Sequence, residues 1–279
     1  MKDCREEWYD KDAKVAVTIV DVTSAAQELA RGHLAGPTST HFLTEALASV
    51  ALLGAEMSEA DETVILQMKC KGPLGGYNVE CTSEGTLRGY AEKKVLDEFD
   101  GLGKPDARKV IGEAQIQVTR SVPGRILSQS ISTSVDGYLA GSLQRKACIR
   151  TEVAVSDEVE VLEARGIMVE VLPDSKIGSL GTEGSLGSEE TVKDPLLPLL
   201  DPKDPIPLSV ASRSILKRLG LENAELRKTT PLKFACRCSP DRAIAMLAAL
   251  SEEERQALPP TIDITCHMCG KTFTVKTKE

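Results

Sequence analysis

Between residues 14 and 20 the chain reads KVAVTIV, with β-branched residues at alternate positions, and this predicts a strand. Just beyond it, Ser24 and Gln27 have the spacing of a capping box, and AAQELAR continues as a short helix towards Gly32. After Pro37 apolar residues recur at helical intervals, at Leu43, Leu47, Val50, Ala51 and Met57, predicting a longer helix with one buried face. The period then changes. TVILQMK (63–69), YNVEC (77–81) and GTLRGYA (85–91) read as strands joined by glycine-rich turns. AQIQVTR (114–120) and RILSQSIS (125–132) flank Ser121-Val122-Pro123-Gly124, a hairpin signal. YLAGSLQRKA (138–147) has the pattern of a helix, and RTEVAVS (150–156) and RGIMVEVLP (165–173) close the region as strands. Strands grouped together with helices at one end define an α+β fold around a mostly antiparallel sheet.

From Pro173 to Pro207 the texture shifts. These residues hold six prolines and four glycines, so the stretch begins as a flexible polar linker (GSLGTEGSLGSEE) and ends stiffened by proline. A helical pattern returns at 208–221, with Leu208, Ala211, Ile215 and Leu219 on one side. The expected organisation is a large N-terminal α+β domain at 1–175, a linker at 176–230 and a small C-terminal module at 231–279.

Composition narrows the functions open to such a chain. Aromatics make up 3% of the 279 residues, leaving few stacking platforms, and the formal net charge of −8 argues against a general nucleic-acid binder. No apolar run reaches transmembrane length, and MKDCREEWYDKD carries acids where a secretion signal would be apolar. A cytoplasmic location is therefore expected, where paired cysteines signal metal or redox chemistry more often than structural disulfides.

The module contains such pairs. Cys236-x-Cys238 is separated by 27 residues from Cys266-x-x-Cys269. Residues i and i+2 of an extended segment point to the same side, so Cys236 and Cys238 can face one ion, and the second pair brings its sulfurs together in a short turn closed by Gly270. Four thiolates suit one tetrahedral Zn²⁺. The spacer is equipped to fold. Ser239, Pro240 and Asp241 start a helix with Ile244, Met246, Leu247 and Leu250 on its apolar side. Ser251 and Glu254 form a capping box for a second helix, which Pro259-Pro260 ends. A module of roughly 45 residues lies near the size at which metal or disulfides become necessary, and zinc can supply ~10–16 kcal/mol of apparent folding free energy. Residues 236–279 hold six Lys/Arg and six Asp/Glu, so no basic face for nucleic acid is implied. His267 lies between ligands whose shell is already complete.

The spaced CxC and CxxC pairs, together with TSAAQELARGHLAGPTST, KCKGPLGGYNVECTSEGTLRGY and TTPLKFACRCS in the same order, resemble the redox-regulated heat-shock chaperones, the bacterial thirty-three-kilodalton heat-shock protein family. The resemblance covers nearly the whole chain. It implies a non-enzymatic, ATP-independent holdase that is inactive while Cys236, Cys238, Cys266 and Cys269 are reduced and hold one zinc ion. Oxidants such as hypochlorous acid, or peroxide with heat, then convert the four cysteines to two disulfides and release zinc. Module and linker unfold, and unfolding client proteins are bound. Dimerisation on activation is also implied. In an extended CxC the two Cα atoms lie about 6.6 Å apart, the upper edge of disulfide geometry, so joining Cys236 to Cys238 is expected to bend the backbone away from its metal-bound shape. If the module supports the 208–221 helix, its melting frees Leu208, Ile215 and Leu219.

Two other classes fit parts of the sequence. A thiol–disulfide oxidoreductase would use Cys266 and Cys269, yet such pairs usually open a helix, whereas Cys266 follows the strand-like TIDIT. A zinc-ribbon nucleic-acid or assembly factor is disfavoured by the charge balance. Cys4, Cys70, Cys81 and Cys148 are scattered and read as buried residues, with Cys70 and Cys81 on neighbouring strands. GPLGG (72–76) lacks the Lys-Ser/Thr of a phosphate loop, and His33, His41 and His267 form no nucleophile–base constellation.

Overall fold

A computed structural model describes residues 3–173, 175 and 194–277. The polar stretch GSLGTEGSLGSEE, expected to be flexible linker, lies outside the described residues. Strands β1 (Cys4–Asp10), β2 (Val15–Asp21), β8 (Lys146–Val155), β9 (Val161–Val171) and β10 (Glu225–Pro231) form one sheet in the order β10-β1-β2-β9-β8, antiparallel throughout. A second sheet, β11-β5-β4-β3-β6-β7, contains β3 (Thr63–Cys70), β4 (Gly76–Thr82), β5 (Thr86–Ala91), β6 (Ala114–Val122), β7 (Arg125–Ser132) and β11 (Lys233–Phe234). Only its β11–β5 pair is parallel. β12 (Thr261–Thr265) and β13 (Thr272–Lys276) make a separate ribbon. The fold is α+β.

Helices α1 (Thr23–His33) and α2 (Pro37–Leu53) organise the core. α2 lies between the two large sheets and touches strands of both. Its spacing predicts one buried face, but every residue except Pro37 and Glu45 is buried, because a sheet covers it on each side. It also stops at Leu53, leaving Met57 beyond a following tight turn, Gly54–Glu56. The capping box expected at Ser24 and Gln27 does not form. The Asp3 carboxylate accepts from the N–H groups of Ser24 and Ala25 at 3.0 and 2.6 Å, while Gln27 bridges to Val159 and Val161 instead. α2 is likewise met by a distant carboxylate, the N–H of Thr38 donating to Asp100 at 2.9 Å.

Three further differences have local causes. The helix expected over 138–147 is one wide turn at Tyr138–Ser142, because residues from Lys146 onward are taken up in pairing with β9. Strand β1 has no signal in the apolar pattern, since its alternation is carried by Arg5, Trp8 and Asp10. Arg5 is nevertheless fully buried and donates to the carbonyl of Ala51 in the last turn of α2. The short elements α3 (Ala107–Val110) and α4 (Val135–Gly137) are single turns in the connections.

After residue 193 the chain lies on the first sheet. Leu196 and Leu199 of α5 (Leu196–Leu200), then Ile206, Leu208, Ile215, Leu216 and Leu219, bury against Trp8, Val15, Val17, Ile167 and Val169. The 208–221 helix is shortened to α6 (Ser212–Arg218), and Ala211 is exposed at its start. Charged side chains hold the extended part before it. Arg150 donates to the carbonyl of Ile206, Arg165 to that of Leu208 (2.8 Å), and Glu152 accepts from the Leu208 N–H (2.6 Å). The support expected from the cysteine module is therefore supplied by the first sheet.

Glu62, fully buried, bonds Arg120 at 2.6 Å and accepts from the N–H groups of Ser58 and Glu59. Burial pushes its carboxyl up, but these donors outweigh it and leave it below the ordinary value of 4.5. Such a group stabilises the fold above its unfolded pKa and loses that contribution as pH falls through the folded one. Glu62→Gln is expected to destabilise by about 3 kcal/mol at neutral pH, measured by urea unfolding. The gap to wild type should close as the pH falls below 4.5. A gap unchanged in acid would show that the ion pair is not its source.

Candidate metal centre and its docking seat

Cys236 and Cys238 follow β11 directly, and the chain turns into α7 (Pro240–Ala248), whose N-cap Ser239 accepts from the Arg242 N–H with Pro240 at the first position. The expected capping box of Ser251 and Glu254 is present at α8 (Glu252–Ala257). Cys266 and Cys269 sit in the turn between β12 and β13, where the Cys266 carbonyl accepts from the Gly270 N–H at 2.8 Å and the Cys266 N–H donates to Lys271 at 2.9 Å. Gly270 closes this turn at φ +72°, a left-handed conformation that favours glycine.

The two segments bring their four sulfurs within 4.8 Å of one another. Cys236 lies 3.7 Å from Cys266 and Cys238 3.4 Å from Cys269, sulfur to sulfur. Sulfurs at the vertices of a tetrahedron about 2.3 Å from a zinc ion would be about 3.8 Å apart. The donor set fits one metal ion. Burial pushes the Cys236 thiol up, but hydrogen bonding with Cys238 and from Arg88 outweighs it and brings the group down to about 7. The Cys269 thiol is driven well up, by burial first and by its sulfur neighbours. Cys236 ionises readily while Cys238 and Cys269 resist, so four thiolates at this spacing need a cation among them.

Little else holds the module together. Among described residues 236–277, only Ala243, Cys269 and Val275 are buried apolar residues. Ile244 and Met246, expected on a covered apolar side, are 50% and 67% exposed, because a nine-residue helix against a two-stranded ribbon has nothing to lay over them. A cavity of about 330 Å³ opens beside Cys238 and Cys266 and is also lined by Arg88, Arg242 and His267.

The module sits on α1 and β5. The Gly89 N–H donates to the Met268 carbonyl at 3.2 Å, and the Gly89 carbonyl bonds His33 Nε2 at 2.8 Å. A Cβ on Gly32 would stand 2.6 Å from the carbonyl oxygen of Cys269, and one on Gly270 would collide with that of Gly32. Arg88 donates to the Cys236 sulfur at 3.8 Å while paired with Glu80, which also faces Arg237 at 3.6 Å. His267 packs edge-on to Tyr90 at 5.7 Å between ring centres. No motif in the sequence marks Gly32, His33, Arg88, Gly89 or Tyr90 as belonging to this seat. Gly32 reads there as a helix stop, and only its backbone contact across the interface reveals its role.

The remaining cysteines are free and lie apart from this cluster. Cys70 and Cys81 occupy neighbouring strands but opposite ends of the hairpin, Cys81 facing Val64. Burial raises all four thiols, Cys81 to about 11 and Cys148 to about 12, keeping them protonated and unreactive. His41 pairs with Glu45 inside α2, on a different helix from His33. Among described residues no helix is long and apolar enough to cross a membrane.

Fold and site together define an α+β protein carrying, on the edge of one sheet, a module whose four clustered cysteines could hold a metal ion. The profile described as Hsp33 protein matches residues 7–276, and the chain belongs to that chaperone family. It is similar to the 33 kDa chaperonin of a Thermus thermophilus strain, 29% identical over 94% of this chain and 81% of the relative. The 33 kDa chaperonins of Symbiobacterium thermophilum and Lacticaseibacillus paracasei are 27% and 26% identical, over 92% and 98% of this chain and 88% and 95% of their own. The crystal structure of the 33 kDa chaperonin from Thermotoga maritima shares the fold, with a TM-score of 0.80 at 20% identity, over 99% of this chain and 96% of that one.

A side chain at position 32 is expected to lift the module off without touching the sulfurs. Gly32→Val should leave the metal content of the reduced protein unchanged while limited proteolysis after residue 235 becomes at least about tenfold faster. Unchanged proteolysis would mean that the close approach of Gly32 and Gly270 does not govern docking.

Proposed function

We propose that this chain is a redox-regulated holdase, shut while its four module cysteines are reduced and hold one zinc ion, and opened by their oxidation to two disulfides. The observation that carries this reading is the convergence of Cys236, Cys238, Cys266 and Cys269 at the point where the module docks on α1 and β5. A zinc ion held there keeps the four sulfurs as thiolates and cross-links two otherwise separate segments. The cavity beside Cys238 and Cys266 admits a small oxidant, and Arg88 favours the ionised Cys236 sulfur that such an oxidant attacks.

With hypochlorous acid, one thiolate displaces hydroxide at chlorine and its neighbour then displaces chloride from sulfur. Each disulfide formed removes two donors from the cluster. A bond from Cys236 to Cys238 also reshapes the segment that follows β11, and one from Cys266 to Cys269 distorts the turn that presents Met268 to Gly89. Since the module has only a thin core, losing its cross-link undoes its fold and its seat together. The body keeps its two-sheet core. It acts by binding unfolding proteins, without turnover and without ATP, in the cytoplasm.

The test is zinc content measured alongside suppression of aggregation of a heat-denatured reporter protein, before and after hypochlorous acid. About one zinc per reduced chain is expected, lost as suppression appears. Peptide mapping should find Cys236 joined to Cys238 and Cys266 to Cys269. Retention of zinc without oxidant-dependent suppression would overturn the proposal. A chain that turns over insulin disulfides would be an oxidoreductase instead.

A further inference from the structure

In the docked protein the outer edge of β5 is occupied by the chain's own C-terminal residues. The Gly85 carbonyl accepts from the Lys233 N–H at 3.0 Å, the Leu87 carbonyl from the Ala235 N–H at 3.0 Å, and the Gly89 N–H donates to Met268 at 3.2 Å. These groups lie at every second residue, the spacing at which one side of a strand offers its hydrogen bonds to a neighbour. The covering strand is short. β5 runs for six residues, whereas β11 pairs with it over two, Lys233 opposite Thr86 and Phe234 opposite Leu87. Leu232 is buried in the core of the body and Phe234 packs against it, so the segment inserts apolar side chains at alternate positions and presents Lys233 outward. An extended peptide, held by its backbone and read by two apolar pockets, is thus already in place.

We propose that the β5 edge is a binding site for extended segments of unfolding clients with large apolar residues at positions i and i+2, which add as a strand where Lys233–Ala235 and Met268 now sit. The inference rests on the oxidative undocking proposed above and deepens it by naming the surface and the chemistry of the partner. Undocking removes Met268 outright and leaves Lys233–Ala235 tethered on one side only. The Gly89 carbonyl stays bonded to His33 of α1, so a client strand pairs from Gly85 to the Gly89 N–H, taking the Gly85 and Leu87 carbonyls together with the donor that Met268 vacates, and outcompetes a two-residue plug. Backbone hydrogen bonds supply affinity for any sequence, and the alternating pockets select exposed hydrophobic strands over polar ones.

The probe is a fluorescein-labelled peptide spanning residues 229–237 with Cys236→Ser, titrated by anisotropy against the full chain. It should bind the oxidised chain at least about tenfold more tightly than the reduced, metal-loaded chain. N-methylation of the amides at positions 233 and 235 should weaken it by a similar factor, as should Leu232→Asp with Phe234→Asp in the peptide. In the full chain, Phe234→Ala should loosen the plug, so that the reduced protein gains peptide affinity while keeping its metal. An oxidised chain that suppresses aggregation but binds the methylated peptide equally well overturns the β5 site and leaves the holdase reading intact. One that binds the peptide selectively without suppressing aggregation overturns the holdase reading instead. Oxidised dimers that bind peptide only after dissociation would give the edge to a second copy and overturn the client assignment.

Discussion

Everything beyond residue 235 depends on four sulfur atoms being able to meet. The two cysteine pairs are separated by 27 residues, and the elements between them bury almost nothing of their own. A conventional core would tolerate the loss of one contact. Here the geometry of the sulfurs determines whether the module has a shape at all, and that shape is what docks. At its centre the interface is backbone meeting backbone, Gly270 against Gly32 and Met268 against Gly89, with one aromatic pair and the polar contacts of Arg88 with Cys236 and Glu80 with Arg237 beside it. Such a contact has little apolar area to cushion a distortion, so a small change at sulfur is transmitted to the docked face.

The body is built in the opposite way. α2 is enclosed by a sheet on each side, and the starts of both α1 and α2 are held by carboxylates from distant parts of the chain, Asp3 and Asp100. Long-range contacts of this kind make a region cooperative and hard to open piecemeal. One chain therefore joins a densely packed part to a thinly packed one, and the crossing from one to the other is short: β10 pairs with β1 in the first sheet, and β11 with β5 in the second.

Much of this was legible in the sequence where a pattern was local. The strands of the second sheet, the hairpin at 121–124, the cap at Ser239 and the box at Ser251 and Glu254 all rest on neighbours a few residues apart. The convergence of Cys236, Cys238, Cys266 and Cys269 was legible too, because two close pairs need only one fold of the chain to meet. What stayed hidden depended on remote partners. β1 carries its alternation on Arg5 and Trp8, the cap of α1 comes from Asp3 rather than Ser24, and the 138–147 pattern yields to pairing with β9. Leu208, Ile215 and Leu219 were legible as an apolar face, but nothing in their spacing tells which sheet receives them. Gly32 and Gly89 matter only through what approaches them, a property that no single-chain periodicity encodes.

The order of β11 and β5 along the chain has a consequence during synthesis. A ribosome delivers β5 well before the strand and the knuckle that cover its edge, and N-terminal regions fold as they emerge. Each new copy thus passes through a stage in which β5 is made but its margin is bare, and that margin is covered only once Lys233–Ala235 and Met268 have emerged. Under the switch proposed above, the supply of metal to nascent chains would then matter for quiescence as much as the oxidant does for release.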